Sequence, residues 1–275
     1  KGKQMYIIDG KSRANELLNK LAKEISDTKS KVKLVVVQVG EDPASSVYVR
    51  NKERAAEKVG IETDTRKLPF GVNQDKLIRI IKALNADKSV NGILVQLPLP
   101  DHIDTNAVLD AIDPIKDVDG FHELNMGRIC TCRSRLVPCT PAGIMDLLSE
   151  FELAGKNALV VGRSNIVGKP IAQMLLDADA TVTLAHSKTN NLDDLLKNAD
   201  IVIAAVGIPE FVQTCKEDAI VIDVGINRDE NDRLVGDVNR DLECFAKTVV
   251  PGGVGPMTVS MLMKQTYDAY RLQKG

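Results

Sequence analysis

Tyr48 and Lys52 stand four residues apart in Tyr48-Val-Arg-Asn-Lys52, a spacing that puts a phenol and an amine on one face of a helix. A lysine held beside a ligand can act as acid or base. A surface helix with a lysine lying along it shows the same pattern. Gln96 follows the apolar run Gly92–Val95, at the carboxyl end of an expected strand, where parallel sheets place ligand contacts. Asp117 and Asp119 flank Val118 in a loop that ends at Gly120. A carboxylate there could accept hydrogen bonds from an N–H-rich heterocycle, or cap a solvated turn. His102, His122 and His186 share no motif and are not read as catalytic bases.

A second chemistry is written in residues 157–170. Ala158-Leu-Val-Val161 has the length of a buried strand, Gly162 ends it, and Val167 to Leu176 carries apolar residues at helical spacing. A strand that turns sharply into a helix leaves N–H groups unpaired, and these suit a phosphate or pyrophosphate. The glycines Gly162 and Gly168 are six apart, so the pattern departs from Gly-x-Gly-x-x-Gly. The runs Ala180–Ala185, Asp200–Gly207 and Ala219–Gly225 follow it as further parallel strands, which makes a doubly wound sheet. Enzymes that use NAD usually carry an acidic residue about 20 positions past the glycines. Here the second strand leads into His186-Ser-Lys188, and Arg163 lies inside the turn, so NADP is favoured. Short-chain dehydrogenases also use Tyr-x-x-x-Lys, but after their dinucleotide motif, whereas here the pair comes first. Pro251-Gly-Gly-Val-Gly-Pro256, after an apolar run at 248–250, lets backbone approach a flat ligand closely.

The elements that must position these residues alternate β and α throughout. Strands are expected at 5–8, 33–39, 62–68 and 92–96. Helices are expected from Asp9 or Gly10, over 43–59, over 74–86 and near 105–111. Thr140-Pro141 reads as an N-cap followed by proline at the first helical position, and a last helix is expected over about 257–272. The fold class is therefore α/β in two domains with a cleft between them. A mainly parallel catalytic domain takes 1–140 with the C-terminal helix 257–275, and a Rossmann-like dinucleotide domain takes 141–256.

The chain has 275 residues, enough for each domain to bury a core. Lys plus Arg number 36 against 38 Asp plus Glu, a net charge of −2, which gives no electrostatic case for nucleic acid or an anionic membrane. No apolar run approaches a membrane span, and no secretory signal or transit peptide is visible. Five cysteines, with Cys130, Cys132 and Cys139 clustered and no histidine close enough to complete a zinc pattern, read as unpaired thiols in a reducing cytosol; no metal is expected.

Six ordered blocks together are far more specific than any one of them. They are Ser45-Ser-Val-Tyr-Val-Arg-Asn-Lys52, Gln96-Leu-Pro-Leu-Pro100, Lys116-Asp-Val-Asp-Gly120, Pro138-Cys-Thr-Pro141, Val161-Gly-Arg-Ser-Asn-Ile-Val-Gly-Lys-Pro170 and Pro251-Gly-Gly-Val-Gly-Pro-Met-Thr258. With them the chain resembles the bifunctional methylenetetrahydrofolate dehydrogenase/methenyltetrahydrofolate cyclohydrolases. The resemblance implies oxidation of 5,10-methylenetetrahydrofolate with NADP, then hydrolysis of the methenyl product to 10-formyltetrahydrofolate, a one-carbon step of the kind that feeds purine biosynthesis. It makes Lys52 the acid–base group of the hydration, with Gln96 bonded to it. Tyr48 would stack on the aminobenzoyl ring, and Asp119 would hold the pterin edge. Leu97, Pro251 and Gly252 would line the folate site. Gly162, Arg163, Ser164, Ser187 and Ile226 would contact the cofactor. A cytoplasmic homodimer is implied as well. Because the methenyl product is a cation, a fully charged lysine beside it would be unfavourable, so a neutral or proton-sharing Lys52 is expected.

Two other readings stay open on the residues alone. A shikimate-type dehydrogenase shares the domain order and a lysine, though not the Lys-Asp-Val-Asp-Gly and Pro-Gly-Gly-Val-Gly-Pro loops. A non-catalytic NADP-binding sensor need not keep Tyr48, Lys52, Gln96 and Asp119 together.

Overall fold

The computed structural model describes residues 5–40 and 43–275, with the backbone alone at 43–47; Ser45 and Ser46 of the first matching block thus have side chains outside the described residues. The chain opens with β1 (Tyr6–Ile8), α1 (Gly10–Thr28), β2 (Lys33–Val39), α2 (Pro43–Val59), β3 (Glu62–Leu68), α3 (Gln74–Ala86) and β4 (Gly92–Val95). Short helices α4 (Thr105–Leu109) and α5 (Glu123–Ile129) lead to α6 (Cys139–Leu148). Then come β5 (Asn157–Val161), α7 (Gly168–Asp177), β6 (Thr181–Ala185), α8 (Leu192–Asn198), β7 (Ile201–Ala204) and β8 (Ile220–Asp223). A small hairpin, β9 (Asn227–Arg228) and β10 (Leu234–Val235), precedes β11 (Ala246–Thr248) and α9 (Val254–Lys274).

The chain divides into two compact units, one of residues 5–14 with 140–258 and one of residues 15–139 with 259–275. The second is built on the parallel sheet β3-β2-β4. Strand alternation sends Val35, Val37, Val39, Ile93 and Val95 into one apolar core with Leu77, Ile81 and Leu84 of α3. Each such fully buried aliphatic side chain contributes about 1.5–3 kcal/mol. Leu34, Val36 and Gln38 point to the other face, as do Gly92 and Leu94. A Cβ at Gly92 would lie 2.7 Å from Val118 and 3.2 Å from Thr266 of α9, so this position must be glycine for those elements to close on the sheet.

The other unit is a six-stranded, wholly parallel sheet in the order β1-β11-β8-β7-β5-β6. The chain runs outward from β5 to β6, then returns to the far side of β5 with β7. The order therefore reverses at β5, which is where doubly wound sheets bind ligands. The core strands read as continuous buried runs, Ala158–Val161 and Ile201–Ala204, because helices cover both faces.

Several boundaries differ from the sequence reading. The expected first domain included the chain from residue 1, but β1 pairs with β11 and carries residues 5–14 into the nucleotide-type sheet. Helix α9 begins at Val254, three residues before the expected start. Pro256 is tolerated there because the N–H groups of a first helical turn have no intrahelical partner. Helix α6 begins at Cys139, so Thr140 lies inside the first turn and its Oγ1 pairs with Thr258 Oγ1 at 2.9 Å instead of capping. The apolar run at 248–250 is strand only as far as Thr248. Helices α5 and α8 and the β9–β10 hairpin are too short to show a clear period.

Candidate functional site

Helix α2 presents Lys52 and Tyr48 on one face, one turn apart, and Val49, Ala55 and Ala56 beside them are buried. Lys52 Nζ donates to Gln96 Oε1 at 3.0 Å. The Gln96 amide is oriented in turn, since its Nε2 donates to Leu97 O at 2.8 Å and its backbone N–H continues the ladder to Val37 O at 2.8 Å. Tyr48 is 41% exposed.

The Asp117–Gly120 loop separates its two carboxylates into different tasks. Asp117 is buried and accepts from the backbone N–H of Gly120 (3.1 Å) and His122 (2.9 Å) and from Asn125 Nδ2 (2.9 Å). It therefore builds the loop. Lys116 is buried too, and its Nζ donates to the carbonyls of Leu84, Asn85 and Asp87, closing the carboxyl end of α3. Asp119, between them and Gly120, lies within electrostatic reach of Lys52. Burial pushes the Asp119 carboxyl up, the Lys52 charge and a hydrogen bond with Cys139 pull it down, and Asp117 adds to the rise. Cys139 is buried with its thiol pushed well up by burial and by Asp119. Gln265 of α9 braces the segment, donating to Cys139 Sγ at 3.3 Å and accepting from Val137 N at 2.7 Å. Gly120 has φ +73°, and a Cβ there would lie 2.3 Å from the Val137 carbonyl carbon, so only glycine permits this packing.

Lys52, Gln96 and Asp119 are thus brought together in one unit, with Tyr48 and Leu97 adjoining them in the chain. Sequence reasoning missed Gln38. It is 2% exposed, and among the described residues its Oε1 has no hydrogen-bond partner. Alternation places it on the same sheet face as Gln96, on the neighbouring strand. A polar residue inside the run Leu34-Val-Val-Val-Gln-Val39 was the available signal.

The remaining candidates lie in the other unit. Gly162 has φ +119°, and a Cβ there would lie 2.1 Å from Ala205 O; at Gly168 it would lie 2.1 Å from Gly162 O. The turn is therefore packed backbone on backbone. Ser164 Oγ accepts from Val167 N (3.2 Å) and Gly168 N (3.3 Å), capping the start of α7. Arg163, Ser164 and Ser187 are exposed at this end of the sheet, and Ile226 is 48% exposed. Strand β6 ends in Ala185, and the following His186-Ser-Lys188 turn offers no carboxylate. A helix start at the reversal point, with a cation and hydroxyls where a repelling carboxylate would otherwise stand, fits a dinucleotide bearing a 2′-phosphate. Pro251 and Gly252 fall in this unit as well, directly before α9.

Residues 8–119 match the catalytic domain of tetrahydrofolate dehydrogenase/cyclohydrolase, and residues 138–274 match the NAD(P)-binding domain of the same enzymes. The chain is similar to the bifunctional protein FolD of Streptococcus pyogenes, 53% identical over 274 residues and 96% of each chain. Among solved structures it is similar to the bifunctional FolD methylenetetrahydrofolate dehydrogenase/cyclohydrolase of Campylobacter jejuni, with a TM-score of 0.95, 42% identity and coverage of 98% of this chain and 100% of that one. It is also similar to the dehydrogenase-cyclohydrolase of Trypanosoma brucei complexed with NADP and an inhibitor, with a TM-score of 0.93, 37% identity and coverage of 98% and 99%. A shikimate dehydrogenase from Aquifex aeolicus shares the fold alone, at 12% identity and a TM-score of 0.51. The chain belongs to the tetrahydrofolate dehydrogenase/cyclohydrolase family.

Proposed function

We propose that the protein is a bifunctional enzyme that oxidises 5,10-methylenetetrahydrofolate with NADP and hydrolyses the resulting 5,10-methenyltetrahydrofolate to 10-formyltetrahydrofolate. The observation that carries this reading is the contact of Lys52 with Gln96 beside Asp119, in a chain so similar to bifunctional relatives. NADP, when bound, accepts the hydride that leaves the one-carbon bridge. Arg163, Ser164 and Ser187, with the glycine backbone at Gly162, hold the cofactor, and Ile226 packs against it. Asp119 accepts hydrogen bonds from the N–H edge of the pterin. Tyr48 stacks on the aminobenzoyl ring, and the family resemblance supports Leu97, Pro251 and Gly252 as further folate contacts.

In the hydration, water adds to the methenyl carbon, the bond from that carbon to N5 breaks, and N5 gains a proton. Lys52 takes one proton from the attacking water and delivers it to N5 as the carbon–N5 bond breaks, and the remaining hydroxyl proton leaves to solvent as the formyl C=O forms, so the cationic substrate gives a neutral product and one released proton. Gln96 fixes the direction of the Lys52 N–H groups, so the nitrogen lone pair and the proton are each presented in one geometry. We propose further that the enzyme acts in the cytoplasm as a homodimer and supplies one-carbon units for purine biosynthesis; the family resemblance supports that placement.

The test is a mixing experiment with protein, methylenetetrahydrofolate and NADP, read at one wavelength for NADPH and at another for methenyltetrahydrofolate. NADPH rising without lasting methenyl product supports both activities. Methenyl accumulation would remove the cyclohydrolase assignment, and with it the role of Lys52. Absence of NADPH formation would overturn the reading.

A further inference from the structure

Asp237 is fully buried, and its carboxylate gathers four N–H donors. Val206 N and Gly207 N donate to Oδ2 at 2.6 and 2.9 Å, while Ile208 N and Asn227 Nδ2 donate to Oδ1 at 3.0 and 2.8 Å. Asp237 is itself held by a second buried carboxylate. Asp223, at the end of β8, accepts from Asp237 N at 2.8 Å, Val238 N at 3.1 Å and Gly225 N at 3.1 Å, and its own backbone N–H donates to Thr248 Oγ1 at 2.8 Å. The fit leaves no slack: a Cβ at Gly225 would lie 2.1 Å from Asp237 Oδ1, and one at Gly236 would lie 1.7 Å from Asp223 Oδ2.

The tied segments adjoin the dinucleotide turn. Ala205 N donates to Val161 O at 2.8 Å, and Ala205 O is the atom against which Gly162 packs. The next three residues, Val206 to Ile208, are those whose N–H groups Asp237 collects. Asn227 directly follows Ile226, so the same carboxylate also sets that exposed side chain. In a doubly wound sheet the two halves of a dinucleotide lie on either side of the reversal point. The half over β6 takes the adenosine, and the half over β7 and β8 takes the nicotinamide end. A buried carboxylate with four N–H partners holds its loops far more rigidly than apolar packing, since losing any one donor leaves charge unsatisfied.

We propose that Asp237 is a positioning residue for the dehydrogenase reaction, tying the segment after β7 and Ile226 to the Gly162 turn so that the nicotinamide end of NADP rests in one place. The inference rests on the dehydrogenase reading above. It separates from that reading because hydrolysis of supplied methenyltetrahydrofolate needs no NADP.

The test is Asp237→Asn, which keeps the shape but turns one acceptor into a donor facing backbone N–H groups. The expected result is a rise of about tenfold or more in KM for NADP, with a fall in dehydrogenase kcat. KM for methylenetetrahydrofolate and the NADP-independent hydrolysis should stay within about twofold of the parent, since no assigned folate contact changes. An unchanged KM for NADP, or a parallel loss of both activities, would overturn the proposal. If Asp237→Asn does not fold, Asn227→Ala removes a single donor and should show a smaller rise in KM for NADP with hydrolysis retained; no rise there overturns it equally. If the parent protein shows no NADP turnover, titration of NADPH fluorescence decides: weaker NADPH binding by the variant supports the positioning role, and equal binding ends it.

Discussion

Lys52 Nζ lies 3.0 Å from Gln96 Oε1, which joins the middle of α2 to the carboxyl end of β4. The acceptor is fixed because the other end of the same amide donates to Leu97 O. Lys52→Met should lower methenyltetrahydrofolate hydrolysis by about 10²–10⁴-fold, the range for loss of an acid–base group. Gln96→Met should lower it less, because the lysine survives but loses its direction. In the double variant the Gln96 change should cost little more, which a double-mutant cycle on hydrolysis rates would show. Independent, multiplying effects would mean the contact has no part in hydration.

Asp119 titrates higher than an ordinary carboxylate because it is desolvated, with Lys52 opposing the rise. N–H groups of a bound pterin would favour the ionised form, so folate should bind best above the Asp119 titration and progressively less well as pH falls through it. Lys52→Met removes the opposing charge and should move that loss of affinity to higher pH. Asp119→Asn should bind folate weakly at every pH and show no such dependence. Calorimetric titration with a folate analogue across pH measures all three.

Arg163 and the carboxylate-free end of β6 predict a preference for the 2′-phosphate. Arg163→Ser should raise KM for NADP by about tenfold while leaving turnover with NAD nearly unchanged, the loss of one charged hydrogen bond. Equal effects on the two cofactors, read by NADPH and NADH formation, would place Arg163 away from the phosphate.

Gly162→Ala should be among the most damaging single-atom additions in the nucleotide-binding unit, because its φ is +119° and the new carbon would meet Ala205 O. The combined strain is of order 1–3 kcal/mol or more. Thermal unfolding should show a lower Tm, and added NADP should raise it less than in the parent.

Burial pushes the Asp223 carboxyl up to about 6, against hydrogen bonds from Asp237 N and Val238 N and with the Asp237 charge adding to the rise. A carboxyl whose folded pKa exceeds its unfolded value favours folding when protonated. Its contribution is therefore most favourable below the unfolded value near 4 and is lost as pH rises to about 6, a change of about 2–3 kcal/mol. Urea unfolding at stepped pH should show this slope in the parent and not in Asp223→Asn, which should also be less stable throughout.

The α/β class, the parallel sheets and most element positions are legible in the residue pattern. Continuous apolar runs such as Leu34–Val37 and Ile201–Ala204 mark parallel strands covered on both faces. The same pattern marks Tyr48, Lys52, Gln96 and the Asp117/Asp119 pair, because a helix repeat, a strand end and a glycine-stopped loop are local features; the choice of Asp119 comes from the family resemblance. Tertiary structure decided what those residues touch. Asp117 and Asp119 look equivalent as written, yet one is consumed by Gly120, His122 and Asn125 while the other is left within electrostatic reach of Lys52. The placement of β1 beside β11 joins residues some 240 positions apart, and no local propensity encodes that pairing. The Asp223–Asp237 ties were equally hidden: their donors come from the segments after β7, β8 and β10 and from β9 itself, which meet only when the sheet order is set. Buried carboxylates must find N–H partners wherever the fold supplies them, and that supply is a property of the packed chain.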